Sequence, residues 1–143
     1  MMTIATILGG KGRDIISMTP DHNVRDTVAL LADKRIGAVP VMDDGDVVGI
    51  FSERDVIHAL DAHGPVVLDK SVRDVMTSPA ITVSPDQPVI GALSLMTRRR
   101  IRHLPVVQDG RVIGLVSIGD LVKYRIDRIE ADAEAMRTYI QQA

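Results

Sequence analysis

Two short runs hold the residues best suited to chemistry. Gly49, Ser52 and Asp55 follow one another at intervals of three, and Gly114, Ser117 and Asp120 repeat the pattern. Ser and Asp three apart at the start of a helix have a plain structural use: they cap it, accepting hydrogen bonds from first-turn N–H groups that lack partners. That use accounts for Ser52 and Ser117 better than for the aspartates. A first-turn Asp favours the helix dipole, but the dipole does not require it three residues after a Ser. A carboxylate in a cleft can instead accept from two neighbouring hydroxyls, as a ribose diol presents them. Catalysis finds less support. Glu53 or Asp55 could be imagined as a base, but no nucleophile, base and orienting group come together, so no enzyme is expected. His22, His58 and His63 show no metal-ligand spacing, and the chain has no cysteine to supply thiolates.

The elements that carry these residues are themselves duplicated. Sliding the chain over itself by 65 positions aligns residues 16–57 with 81–122 without a gap. Identities include Pro20 and Pro85, Arg35 and Arg100, Ile36 and Ile101, Pro40 and Pro105, Gly45 and Gly110, besides the Gly-Ser-Asp sets, far more than chance supplies. Each copy reads as β-α-β-β-α. A β-rich run, IISM or AITV, ends at Pro20 or Pro85, where the chain must turn. A helix follows, with Val24, Val28 and Leu31 or Val89, Leu93 and Met96 at helical spacing. Two apolar runs then flank Asp44-Gly45 or Asp109-Gly110, the signature of a tight hairpin. A second helix closes the unit. Residues 3–8 and 71–76 echo each other faintly and suggest a short lead-in helix before each copy.

A single unit of this length buries too little surface to be comfortable alone. The reading is therefore an α+β fold of two repeats, residues 3–63 and 64–125, sharing one core across their sheet faces, with a helical extension over 126–143. Gly64-Pro65 marks the connection.

Composition narrows the partners. The formal charge is −2, the pI about 6.0, and aromatics make up 2% of the chain. A phosphate-backbone binder needs a basic excess and a base-stacking platform needs exposed rings, so nucleic acid is not expected. No apolar run approaches the length of a membrane helix, and the N-terminus does not read as a signal peptide, so a cytoplasmic protein is expected. Residues 9–14, GGKGRD, lack the spacing of a phosphate loop and read as a flexible turn. Arg98, Arg99 and Arg100 read as a solvated helix end.

The ordered set in each copy, x-Pro-Val, Asp-Gly-x-[Val/Ile]-x-Gly and Gly-x-x-Ser-x-x-Asp, resembles that of a tandem cystathionine-β-synthase (CBS) domain pair, or Bateman module. The resemblance covers about residues 3–125. It implies binding of adenosine-containing ligands, AMP, ADP, ATP, NAD or S-adenosylmethionine, in clefts between the repeats, with no cofactor required. It also implies two sites. One would combine Ser52, Arg54 and Asp55 with Ala80, Ile81, Arg102 and His103; the other, Ser117 and Asp120 with Ile15, Ile16, Gly37 and Ala38. Aliphatic residues such as Ile81 or Ile16 would flank the adenine. Arg54 is answered by Gly119, and Arg102-His103 by Gly37-Ala38, so phosphates are expected to bind more strongly beside Asp55. Lys11 and Arg13, in a loop the second copy lacks, could lend charge to the other site. A regulatory sensor that signals to a separate protein is the expected function. The alternative is a structural dimerisation module with empty clefts.

The last helix carries Val122, Ile126, Ile129, Ala133, Met136 and Ile140 at spacings of 4, 3, 4, 3 and 4. Such a seam either packs back on its own chain or makes a homodimer contact, and the resemblance implies the homodimer.

Overall fold

A computed structural model of the chain describes residues 2–11 and 15–142, apart from the Lys11 side chain. The helices are α1 (Ile4–Lys11), α2 (Val24–Lys34), α3 (Glu53–His63), α4 (Val72–Val75), α5 (Val89–Arg99) and α6 (Ile118–Gln142). The strands are β1 (Ala38–Asp43), β2 (Asp46–Ser52), β3 (His103–Gln108) and β4 (Arg111–Ser117). β1 pairs with β2 and β3 with β4, both antiparallel. Each hairpin turns through the two predicted residues: Asp44 and Gly45 have φ of 49° and 84°, Asp109 and Gly110 of 53° and 76°. Positive φ at both central residues is the mirror-image turn that matches strand twist. A bulge shifts the register between Val41 and Met42, and another between Val106 and Val107.

The β-rich run that opens each copy is shorter than expected. It makes one parallel bridge per copy, Met18 to Val41 and Val83 to Val106. Met18 N–H donates to Pro40 O at 3.2 Å and Met42 N–H to Met18 O at 2.8 Å, and Val83 makes the matching pair with Pro105 and Val107. The next ladder bond in one direction would need an N–H from Pro40, and in the other from Pro20. Proline has none, so the bridge ends after one residue on both sides; Pro105 and Pro85 do the same in the second copy.

The core also departs from the single shared interior expected. Two clusters are buried, one around Val24, Leu31, Val39, Val41, Phe51 and Val72, the other around Ile4, Val89, Met96, Leu104, Val116 and Leu121. The lead-in helices explain this, because each packs on the opposite repeat. α1 joins the second: Ile4 N–H donates to Gln87 O, Ala5 N–H to Pro85 O, and Val89 N–H to Met2 O. α4 joins the first: Val24 N–H donates to Lys70 O, Val72 N–H to His22 O, and Arg73 pairs with Asp21 at 2.7 Å. Each repeat thus gains a helix that completes its own core, and the spatial units differ from 3–63 and 64–125. α1 also runs through Gly9, Gly10 and Lys11, where a turn was expected. Arg13 and the Lys11 side chain lie outside the described residues.

Candidate functional site at the repeat interface

β2 ends at Ser52 and α3 begins at once, so the Gly-x-x-Ser-x-x-Asp run spans a strand-to-helix junction. Ser52 is the N-cap of α3, in extended backbone geometry. Its Oγ accepts from Asp55 N–H at 3.3 Å, while Asp55 Oδ2 accepts from Ser52 N–H at 2.9 Å and from Ser52 Oγ at 3.1 Å. This reciprocal capping box satisfies two otherwise orphan donors. Ser117 and Asp120 repeat it at the start of α6, with Ser117 N–H donating to Asp120 Oδ2 at 2.8 Å and Asp120 N–H to Ser117 Oγ at 3.1 Å. The capping use of both pairs is real, and it fixes each carboxylate at the edge of a cleft.

Gly49 has a reason of its own. A Cβ there would stand 2.8 Å from both Met76 Sδ and the Thr77 carbonyl oxygen. The segment after α4 runs this close because Thr77 and Ile50 exchange backbone hydrogen bonds at 2.9 Å. Thr77 Oγ1 then donates to Asp55 Oδ1 at 2.8 Å, so the other repeat's lead-in segment reaches the carboxylate. Gly114 plays the corresponding part against Leu8 of α1, whose Cδ2 would lie 2.6 Å from an added Cβ.

The structure brings Ser52, Arg54, Asp55, Ala80, Ile81, Arg102 and His103 together around one cleft of about 240 Å³. It brings Ser117, Asp120, Ile15, Ile16, Gly37 and Ala38 together around a second of about 420 Å³. Ile81 and Ile16 are half-buried, and Ala80 and Pro79 extend the apolar wall of the first cleft. The clefts meet at Gly37 and His103, which line both. An added Cβ on Gly37 would lie 3.2 Å from His103 Cε1. The two clefts are therefore separated by little more than one imidazole.

Several lining residues escaped the sequence reading. Arg100 lines the first cleft and Arg35 the second, each immediately after a helix and each left-handed at φ 55°. Their identity in the two copies was visible, but the sequence does not say that they turn the chain into the cleft. Arg100 was read with Arg98 and Arg99 as a solvated helix end; it instead borders the site, and its carbonyl accepts from Arg54 Nη1 at 3.2 Å. His58, which shows no metal-ligand spacing, is exposed and lines the first cleft beside Glu53 and Thr77. Arg35 also changes the charge comparison, because the second cleft is not without a guanidinium. Among the described residues the first holds three, Arg54, Arg100 and Arg102, against the second's one. Among the described residues no cluster suited to a metal ion is present, and none of the described helices is long and apolar enough to cross a membrane.

Comparison with known proteins places this geometry. The family model for the CBS domain matches residues 12–62 and again 72–127. The mitochondrial CBS domain-containing protein CBSX3 of Arabidopsis thaliana is 34% identical over 148 residues, covering 97% of this chain and 72% of that protein. The chain spans 66% and 36% of two further curated relatives. Among solved structures, the CBS-domain containing protein ATU1752 from Agrobacterium tumefaciens superposes with a TM-score of 0.83 at 38% identity, over 86% of this chain and 92% of that one. The CBS domain pair of protein MJ0100, in complex with 5′-methylthioadenosine and S-adenosyl-L-methionine, gives 0.79 at 25% identity over 90% and 98%.

Proposed function

The chain belongs to the CBS domain family as a tandem pair, and from that premise we propose that it is a cytoplasmic, non-catalytic regulatory protein. Its inter-repeat clefts bind adenosine-containing ligands, and a separate partner protein reads the resulting change of shape. One observation carries the reading: each cleft joins a held carboxylate, an aliphatic wall and at least one guanidinium, drawn from both repeats. These suit a ribose hydroxyl, an adenine face and a phosphate in turn. The CBS pair bound to 5′-methylthioadenosine and S-adenosyl-L-methionine supports the ligand class. Because the clefts lie between the repeats, a ligand that fits one relative angle better than another shifts the population by that difference in affinity.

The carboxylate at Asp55 is already well used. Three of its roughly four acceptor positions are taken by Ser52 and Thr77. A ribose hydroxyl can take the remaining position on Oδ1, and a second requires the Ser52 or Thr77 hydroxyl to rotate away.

A thermal-shift panel of adenosine, AMP, ADP, ATP, NAD, S-adenosylmethionine and 5′-methylthioadenosine tests the proposal. A ligand at about 100 Kd adds about 2.7 kcal/mol to stability, and at least one should raise the melting temperature visibly. Asp55→Asn with Asp120→Asn should abolish that shift. A panel with no response would leave a structural module with empty clefts. Since both aspartates also cap helices, Ala variants should lose about 1 kcal/mol without any ligand; the comparison is therefore made within each variant, with and without nucleotide.

A further inference from the structure

The half of α6 beyond Arg125 stands away from the body of the chain. From Ile126 to Gln142 every residue is exposed except the half-buried Ala133. The apolar seam therefore does not pack back on its own chain: Ile129 is 53% exposed, Met136 60% and Ile140 64%. A solitary helix of this length is marginal in water and draws its stability from packing of an amphipathic face. We propose that α6 forms a parallel, in-register coiled coil with α6 of a second copy of this chain.

Period and charge together choose that occupant and its direction. Ile126, Ala133 and Ile140 fall on one core position of a heptad and Val122, Ile129 and Met136 on the other, so the seam is complementary to itself. The flanking positions are Lys123, Glu130 and Arg137 on one side and Arg125, Asp132 and Tyr139 on the other. In a parallel pair each residue of the second set faces the residue five places further along the other helix. Arg125 then meets Glu130 of the partner subunit, and Asp132 meets Arg137 of the partner subunit. Both pairs are attractive. In the antiparallel pair of fullest overlap, Glu130 meets the partner's Glu130, Asp132 meets the partner's Asp132, and Lys123 meets the partner's Arg137. All three are repulsive. Charges at such a rim contribute little to stability but decide orientation, because the wrong arrangement is penalised at every pair. Asp132 and Arg137 already hold Arg128 at 3.7 Å and Glu134 at 3.1 Å within the helix, so contacts across the seam extend existing networks. The pairing is independent of what the clefts bind.

The test uses the full chain. Light scattering at high micromolar concentration should give the mass of a dimer, and Ile129→Asp should give a monomer with an unchanged circular dichroism melt of the body. Glu130→Lys should raise the dimer dissociation constant several-fold, and Arg125→Glu combined with Glu130→Lys should restore it. The chain lacks cysteine, so Met136→Cys introduces a single thiol. Parallel pairing sets the two 136 positions side by side, and mild oxidation should link them. The antiparallel pair of fullest overlap would hold them about 15 Å apart along the axis, outside disulfide reach. A monomeric chain would overturn the proposal, as it would if a different protein were the occupant. So would a dimer that survives Ile129→Asp, or one that Met136→Cys does not link.

Discussion

The two arginines that end α2 and α5 are costly at the scale of single residues. A left-handed backbone conformation at a helix C-terminus ordinarily falls to glycine, and an L-residue there gives up about 1 kcal/mol. Arg35 and Arg100 both accept that cost at φ 55°, and both line a cleft. Arg35→Gly and Arg100→Gly should therefore stabilise the free protein by about 0.5–1 kcal/mol, or about 1–4 °C in melting temperature. Each should at the same time weaken nucleotide binding in its own cleft. Calorimetric melting paired with titration of AMP would show both changes; a variant less stable than the parent would mean that the side chains hold the fold rather than the ligand. These residues show where single-sequence reading stops. Ser52 and Asp55 were legible because their spacing states both of their uses, whereas the direction of Arg100 depends on a backbone angle that the residue type argues against.

At the scale of elements, the hairpins were the most legible feature, since Asp44-Gly45 and Asp109-Gly110 admit few other turns. α2 and α5 followed from apolar spacing alone. The opening run of each copy looked like a strand because its composition is β-rich, yet Pro20 and Pro40 remove the donors on either side of Met18 and leave one bridge. The exchange of α1 and α4 was not legible at all. Their faint similarity identified them as equivalent, but which repeat each would cover is decided by tertiary packing. Gly49 and Gly114 record the exchange, and they should respond unequally to a methyl group. In Gly49→Ala the new atom meets a backbone carbonyl, Thr77 O, held by hydrogen bonds to Ile50 on both sides; a loss of about 1–3 kcal/mol is expected. In Gly114→Ala it meets the end of the Leu8 side chain, which can rotate, so the loss should be smaller. Denaturant titration of both variants measures the difference, and equal losses would show that Leu8 is as fixed as the carbonyl.

At the scale of the whole molecule, duplication produced two clefts that share a wall at Gly37 and His103 but differ in charge. Among the described residues the first has Arg54 and Arg102 beyond the arginine that both possess, so the added phosphates of ATP should favour it over the second. Calorimetric titration should find two classes of site, with the preference for ATP over AMP confined to the stronger and lost in Arg54→Ala/Arg102→Ala; one class of site in the parent would refute this. The same doubling governs how the interior is built. Neither half owns a finished hydrophobic centre, because the helix that roofs each one is tethered to the other. A lone repeat would have to borrow its roof from a neighbouring molecule, an encounter that fades on dilution. Joining the two along one polypeptide makes that loan intramolecular, at an effective concentration that the connecting segment sets and the surroundings cannot change.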